Sequence, residues 1–266
     1  MNLHADPLRA AELHAAAPPM PRARVGRAYL QEVRSECLRY LRNPGFLLPT
    51  LLFPTVFYLM FGVLLNRGGG DHTARYLLAA YTTFGVIAPG LFGFGVSLAL
   101  ERDNGLLTLK RALPMPPLAY LAGKMAMALA VAGIVATLLL ALSVAFAHVV
   151  LTPAQALQLV ATGVLGALPF CALGLLIGTL VKGQAAPALI NLVYLPMAVL
   201  SGLWFPVDRV PALRALAPAW PAWHLDQLAM AAVGMQRDAR WPHVLALAAW
   251  TAACLWIAAR RLRRIG

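Results

Sequence analysis

Long uncharged apolar runs separated by short charged ones set the organisation of this chain. Between Met125 and Val181 there is no Asp, Glu, Lys or Arg, and four shorter uncharged stretches run from Pro44 to Leu65, Tyr76 to Leu100, Gly183 to Val207 and Trp241 to Ala259. A helix needs about 20 apolar residues, at about 1.5 Å each, to cross the hydrocarbon of a bilayer. The longest run therefore holds two crossings and a turn, expected at His148 to Gln155, where Thr152 and Pro153 break the pattern. The pattern predicts an all-α polytopic membrane protein with six transmembrane helices, near residues 46–65, 77–100, 121–147, 157–181, 187–204 and 241–259.

Composition supports this reading. Hydrophobic residues make up 61% of the chain and charged ones 12%, outside the soluble range of about 25% charge. The net charge of +12 would suit nucleic acid, but its distribution argues otherwise. With the N-terminus inside, sixteen of the 22 cations fall on inner segments, among them Arg102, Lys110, Arg111, Lys124, Lys182 and Arg260; six, Arg67, Arg75, Arg209, Arg214, Arg237 and Arg240, fall outside. The positive-inside rule then puts both termini in the cytoplasm, and anionic lipid accounts for the basic inner surface without nucleic acid. Cys37, Cys171 and Cys254 have no spacing that implies a disulfide or a metal site. Residues 1–26 are Ala/Pro-rich without the apolar core of a signal peptide; they are expected to form a disordered cytoplasmic tail ahead of a transmembrane domain over 27–266.

Ahead of the first span, Leu30, Val33, Cys37 and Leu41 recur at helical spacing, while Arg27, Arg34, Arg39 and Arg42 point elsewhere. This is the pattern of an amphipathic helix lying at the membrane surface. Pro49 and Pro54 predict a bend in the first span, and Gly85, Gly90, Gly93, Gly95, Gly174 and Gly178 predict close helix packing. No ionisable residue is expected in the hydrocarbon zone, which argues against ion-coupled transport. Tyr58, Thr82, Thr83, Asn191 and Tyr194, with Ser97 and Ser143, are the polar side chains available to line a pathway. Beyond span five, Pro211 and Pro221 stand where helices start and Gly234 where one stops, with Trp220 and Trp223 at headgroup level. Two short re-entrant helices on the outer face are expected there.

Between spans two and three lies Glu101-Arg102-Asp103-Asn104-Gly105-Leu106-Leu107-Thr108-Leu109-Lys110-Arg111-Ala112-Leu113-Pro114. Asp103 or Asn104 is suited to cap a short helix on which Leu106, Leu109 and Leu113 share a face. Such a helix is too short to span and has the apolar stripe of one that docks into a partner's groove. A carboxylate such as Glu101 at a helix C-terminus is disfavoured by about 0.3 to 1 kcal/mol and calls for a cation, with Arg102, Lys110, Arg111 or a partner's basic residue as candidates.

This segment resembles the Glu-Arg-x-x-Gly-Thr-Leu-x-x-Leu-x-x-x-Pro pattern of ABC-2 type transport permeases. Tyr120 to Lys124 resembles the Leu-x-Gly-Lys that follows it, and Ser201-Gly202-Leu203-Trp204-Phe205-Pro206 is similar to the family's fifth-span ending. Leu106 and Leu107 stand where Gly-Thr-Leu is common. The resemblance covers Arg27 to the C-terminus. It implies the membrane subunit of an ATP-binding-cassette exporter, working as a dimer, with itself or a paralogous permease, beside cytoplasmic ATPase subunits that carry ATP and magnesium. Glu101, Arg102, Asp103 and Gly105 would open the coupling helix, and Arg27, Leu30, Val33, Arg34 and Leu41 would belong to the connector helix beside it. The location implied is the bacterial inner membrane.

The chain itself has no phosphate-binding loop: Met125 follows Gly123-Lys124, and Leu118 stands where the first glycine would be. An intramembrane serine hydrolase fits poorly, because Ser201-Gly202 lacks its preceding motif and no histidine lies within a later span, His224 being outside and His243 at the start of span six. A secondary transporter and a membrane scaffold are the other readings. The apolar pathway favours a hydrophobic or amphipathic substrate, a drug-like molecule or lipid, over a lipo-oligosaccharide.

Overall fold

The computed structural model describes residues 21–66, 70–112, 116–206, 210–236 and 239–265, and among them every regular element is helical. In chain order these are α1 (Arg22–Leu41), α2 (Pro44–Leu64), α3 (Gly70–Asp103), α4 (Leu106–Ala112), α5 (Pro117–Phe146), α6 (Pro153–Leu180), α7 (Ala186–Leu200), α8 (Pro211–Leu216), α9 (Pro221–Ala232) and α10 (Trp241–Ile265). Proline opens five of them, where its missing N–H is no loss and its fixed φ already suits a helix. The expected turn before α6 is well built. Thr152 accepts from the Gln155 backbone while the Gln155 side chain accepts from the Thr152 N–H, and His148 takes the left-handed conformation at φ 51°. Residues 22–26, read from sequence as tail, form the first turns of α1.

Five segments, in α2, α3, α5, α6 and α10, are long and apolar enough to cross a membrane. The sixth expected span coincides with α7, which at 15 residues is shorter than a crossing helix requires. Large apolar side chains lie exposed along the outside of the bundle, among them Leu52 and Phe53 on α2, Leu165 on α6, Leu192 on α7 and Trp256 on α10. Water would penalise such a surface, whereas lipid tails are as apolar as the side chains themselves.

Helix α3 is the axis of the fold. It packs against α5, α2 and α9, and its π-helical stretch Pro89–Val96 lies on the second half of α6, which in turn carries α10. Glycines make the α3–α6 approach possible. A Cβ at Gly174 would stand 2.6 Å from the Gly90 carbonyl oxygen, and one at Gly178 would stand 2.7 Å from that of Gly95. Backbone meets backbone there, so no side chain can yield.

The two ends of the bundle differ. At the near end, α1 lies along α5 and the short α4 leaves α3 through Gly105 (φ 72°). At the far end, α9 packs against α3, α6 and α10. There Arg75 donates to the Val150 and Val233 carbonyls, and His224 donates from Nε2 to Pro218 while its Nδ1 meets His243 Nδ1 at 3.0 Å.

Gly174→Val should cost about 2 kcal/mol through overpacking, seen as a lower melting temperature of the detergent-solubilised protein. Gly26→Ala, at an open position inside α1, should leave melting unchanged or slightly raised, because alanine favours the helix over glycine.

Candidate functional site

Four helices converge on a buried ionic cluster at the near end. Helix α1 contributes Glu32, Glu36 and Arg39, the end of α3 gives Ser97 and Glu101, α4 gives Lys110, and the start of α5 gives Tyr120 and Lys124. Lys124 has no exposed surface, and its ammonium donates to Glu101 Oε1 at 2.9 Å, Glu36 Oε2 at 3.1 Å and Ser97 Oγ at 2.8 Å. Those three bonds use all three of its N–H donors. Glu101, only 3% exposed, also accepts from the Tyr120 hydroxyl and pairs with Arg39. Lys110 pairs with Glu32 and donates to Glu36 Oε1 at 3.2 Å, and its ammonium sits 4.4 Å from the centre of the Tyr120 ring.

Three carboxylates thus face three cations, and the cluster is neutral. Isolated charges here would each carry a desolvation penalty of several kcal/mol, which the buried partners offset together. Beside Glu36, burial first and then that carboxylate push the Cys37 thiol above its ordinary value.

The residues after Glu101 clamp the next helix. Arg102 donates to the Gly178 carbonyl at 3.1 Å and the Val181 carbonyl at 2.6 Å, satisfying acceptors at the C-terminus of α6. Asp103 accepts from the Gly183 N–H at 2.6 Å, so its carboxylate serves the α6–α7 turn. At Gly105 the left-handed conformation would cost any other residue about 1 kcal/mol or more, and it redirects the chain into α4. On that helix Leu106 and Leu109 are exposed, whereas Leu107 packs inward; Leu113 lies outside the described residues.

Sequence had offered Arg102, Lys110 or Arg111 as the partner of Glu101; the structure pairs it with Lys124 and Arg39 instead, and Arg102 is engaged by α6. Lys124 and Glu101 are both buried at the near end of the bundle. On α1, Leu30 and Leu41 are exposed, as are Arg27 and Arg34, with Val33 half-buried; the face turned to the bundle carries Glu32, Glu36 and Tyr40. A signal for that face was present. Glu32 and Glu36 are the only acids of α1, one helical turn apart, with Tyr40 a turn further on.

A second feature is a lateral groove of about 520 Å³ between α2, α3 and α7, walled by Phe53, Phe57, Phe84 and Trp204. Of the polar side chains singled out from sequence, Asn191 and Tyr194 line it, with the Tyr194 hydroxyl donating to the Phe84 carbonyl at 2.9 Å. Tyr58, Thr82 and Thr83 are buried in the core and do not reach it.

Comparison with known proteins agrees with this architecture. The family model described as ABC-2 type transporter matches residues 28–232. The chain is also 28% identical over 219 residues, 81% of its own length and 89% of the relative's, to the protein of Bacillus subtilis (strain 168) named "Putative transport permease YvfS".

Lys124→Met should lower stability by about 3 kcal/mol by stranding two buried carboxylates. Arg39→Gln should cost less than about 1 kcal/mol, because Arg39 is 45% exposed. Thermal melts of the two purified variants check the ranking.

Proposed function

The chain belongs to the ABC-2 type transporter family, and from that premise we propose that it is the membrane subunit of an ATP-driven exporter. It works as a pair with a second copy or a paralogous permease, and two cytoplasmic ATPase subunits supply the energy from ATP and magnesium. The bundle's near end, with both termini, faces the cytoplasm of a bacterial inner membrane. Helix α7, continued by the apolar residues 201–206 that follow it, makes the sixth crossing, and α8 and α9 are re-entrant from the outer side.

One observation carries this reading: Lys110 of α4 is ion-paired to Glu32 and Glu36 of α1, in the same cluster that joins Glu101 of α3 to Lys124 of α5. Leu106 and Leu109 on α4 form the docking face for the ATPase. A push on that face cannot move α4 alone without separating buried opposite charges, so the four helices move as one body. ATP-driven closure of the ATPase pair becomes a tilt of α3 and α5 against the rest of the bundle. The groove between α2, α3 and α7 is the pathway, closed on its open side by the partner subunit. Its aromatic walls suit a hydrophobic or amphipathic molecule, a drug-like compound or a lipid.

The test is co-expression with a cassette ATPase subunit followed by capture through a tag on this chain. Leu109→Asp should reduce ATPase capture about tenfold. Lys110→Ala should retain capture yet lower efflux of a lipophilic dye. Unchanged capture and efflux in both variants would overturn the assignment of α4.

A further inference from the structure

The far end holds a cavity that the coupling reading does not use. It is open on one side and holds about 580 Å³ between the start of α3, the residues following α7, and α9. Its walls include Tyr76, Trp204, Phe205 and Met230, and two polar side chains in it stand without partners. Asp226 of α9 is 4% exposed and its Oδ1 is buried with no hydrogen bond; Ser201 is 1% exposed and its hydroxyl is equally unpaired. Buried polar groups are normally satisfied, and a buried carboxylate without a counter-charge is among the costliest exceptions.

Among the described residues, the neighbouring arginines are engaged elsewhere. On α3, Arg75 is held by Asp71 and by the Val150 and Val233 carbonyls, and His72 is the one other ionisable group besides Tyr76 that α3 brings to the cavity. On the α10 side, Arg240 donates to the Ala231 carbonyl and to Gln158, and His243 meets His224. The segment of α6 against α9 carries no charged residue. Burial accordingly holds the Asp226 carboxyl well above the usual carboxylate range.

We infer that this cavity is a binding site for an organic ammonium ion, with Asp226 as the counter-charge, Ser201 as a second polar contact and Trp204 and Phe205 against the ligand's apolar body. A protonated amine supplies the positive charge and up to three N–H donors, and an aromatic wall adds cation–π attraction. A divalent metal fits badly. Calcium takes about six to eight oxygen ligands, and among the described residues no group of three or more His, Cys, Asp or Glu is present. The site stands apart from the coupling reading, because equilibrium binding needs neither an ATPase nor a partner subunit.

The experiment is calorimetric titration of the full chain in nanodiscs with phenethylammonium and, separately, its neutral isostere phenethyl alcohol. At pH 8 the ammonium should bind about tenfold tighter or more than the alcohol. Lowering the pH from 8 towards 5.5 should weaken that preference, because protonation of the carboxyl removes the counter-charge. Asp226→Asn should bring the two affinities within about twofold of each other, while Arg24→Gln, at an exposed position on α1, should leave them as in the natural chain. Equal affinities at pH 8, or a preference that does not weaken as the pH falls, would overturn the proposal without bearing on the coupling helix. The wild-type pH comparison decides the matter even if the Asp226 variant folds poorly.

Discussion

Burying a charge is the constraint around which the near end of this protein is arranged. An ammonium with no exposed surface, such as that of Lys124, survives only where its hydrogen bonds and its counter-charges are complete. Completing them requires Glu36 from α1 and Glu101 from α3 together, with Ser97 beneath. The requirement recurs outward: each carboxylate needs another donor, which Arg39, Tyr120 and Lys110 provide. Four helices are thereby fixed relative to one another by a demand that no single one of them can meet. A buried cluster of this kind is weak evidence for high stability, but its geometry admits few alternatives.

The middle of the bundle is held by a different means. Apolar burial gives no net drive between helices in lipid, so contact depends on shape, and the glycine-to-glycine approach of α3 and α6 supplies it. Toward the near end the same two helices are joined by Arg102 to the last carbonyls of α6 and by Asp103 to the following turn. Close backbone packing and charge-assisted bonds therefore act in series along one interface. The lateral groove, by contrast, is lined by aromatic side chains and has few polar anchors, which leaves it able to accept apolar bodies of varied shape.

Much of this was legible in the sequence. Charge-free runs located the crossing segments, and Thr152-Pro153, Pro211, Pro221 and Gly234 marked helix ends, because caps and breakers act locally. The loop after α3 could be recognised as a short helix from its leucine spacing. The pairing of Glu101 could not. Its partners lie 23 residues ahead on α5 and 62 behind on α1, and spacing along a chain says nothing about such distances. The carboxylate face of α1 was hidden for another reason: the apolar stripe of Leu30 and Leu41 dominates its pattern, yet that stripe is exposed, and the bundle takes the acidic face because Lys124 and Lys110 need it. The short α7 shows a limit of hydropathy, since residues 201–204 are apolar but leave the helix in a turn.

The account rests on Glu101 and Lys124 acting as one unit. A double-mutant cycle of Glu101→Gln and Lys124→Met, read as unfolding free energy in detergent, measures this directly. Stranded partners should make each single variant costly and the double variant much less so than their sum, with a coupling of about 2 kcal/mol. Additive effects, within about 0.5 kcal/mol, would mean that the two side chains do not depend on each other, and the cluster could not bind the four helices into one body.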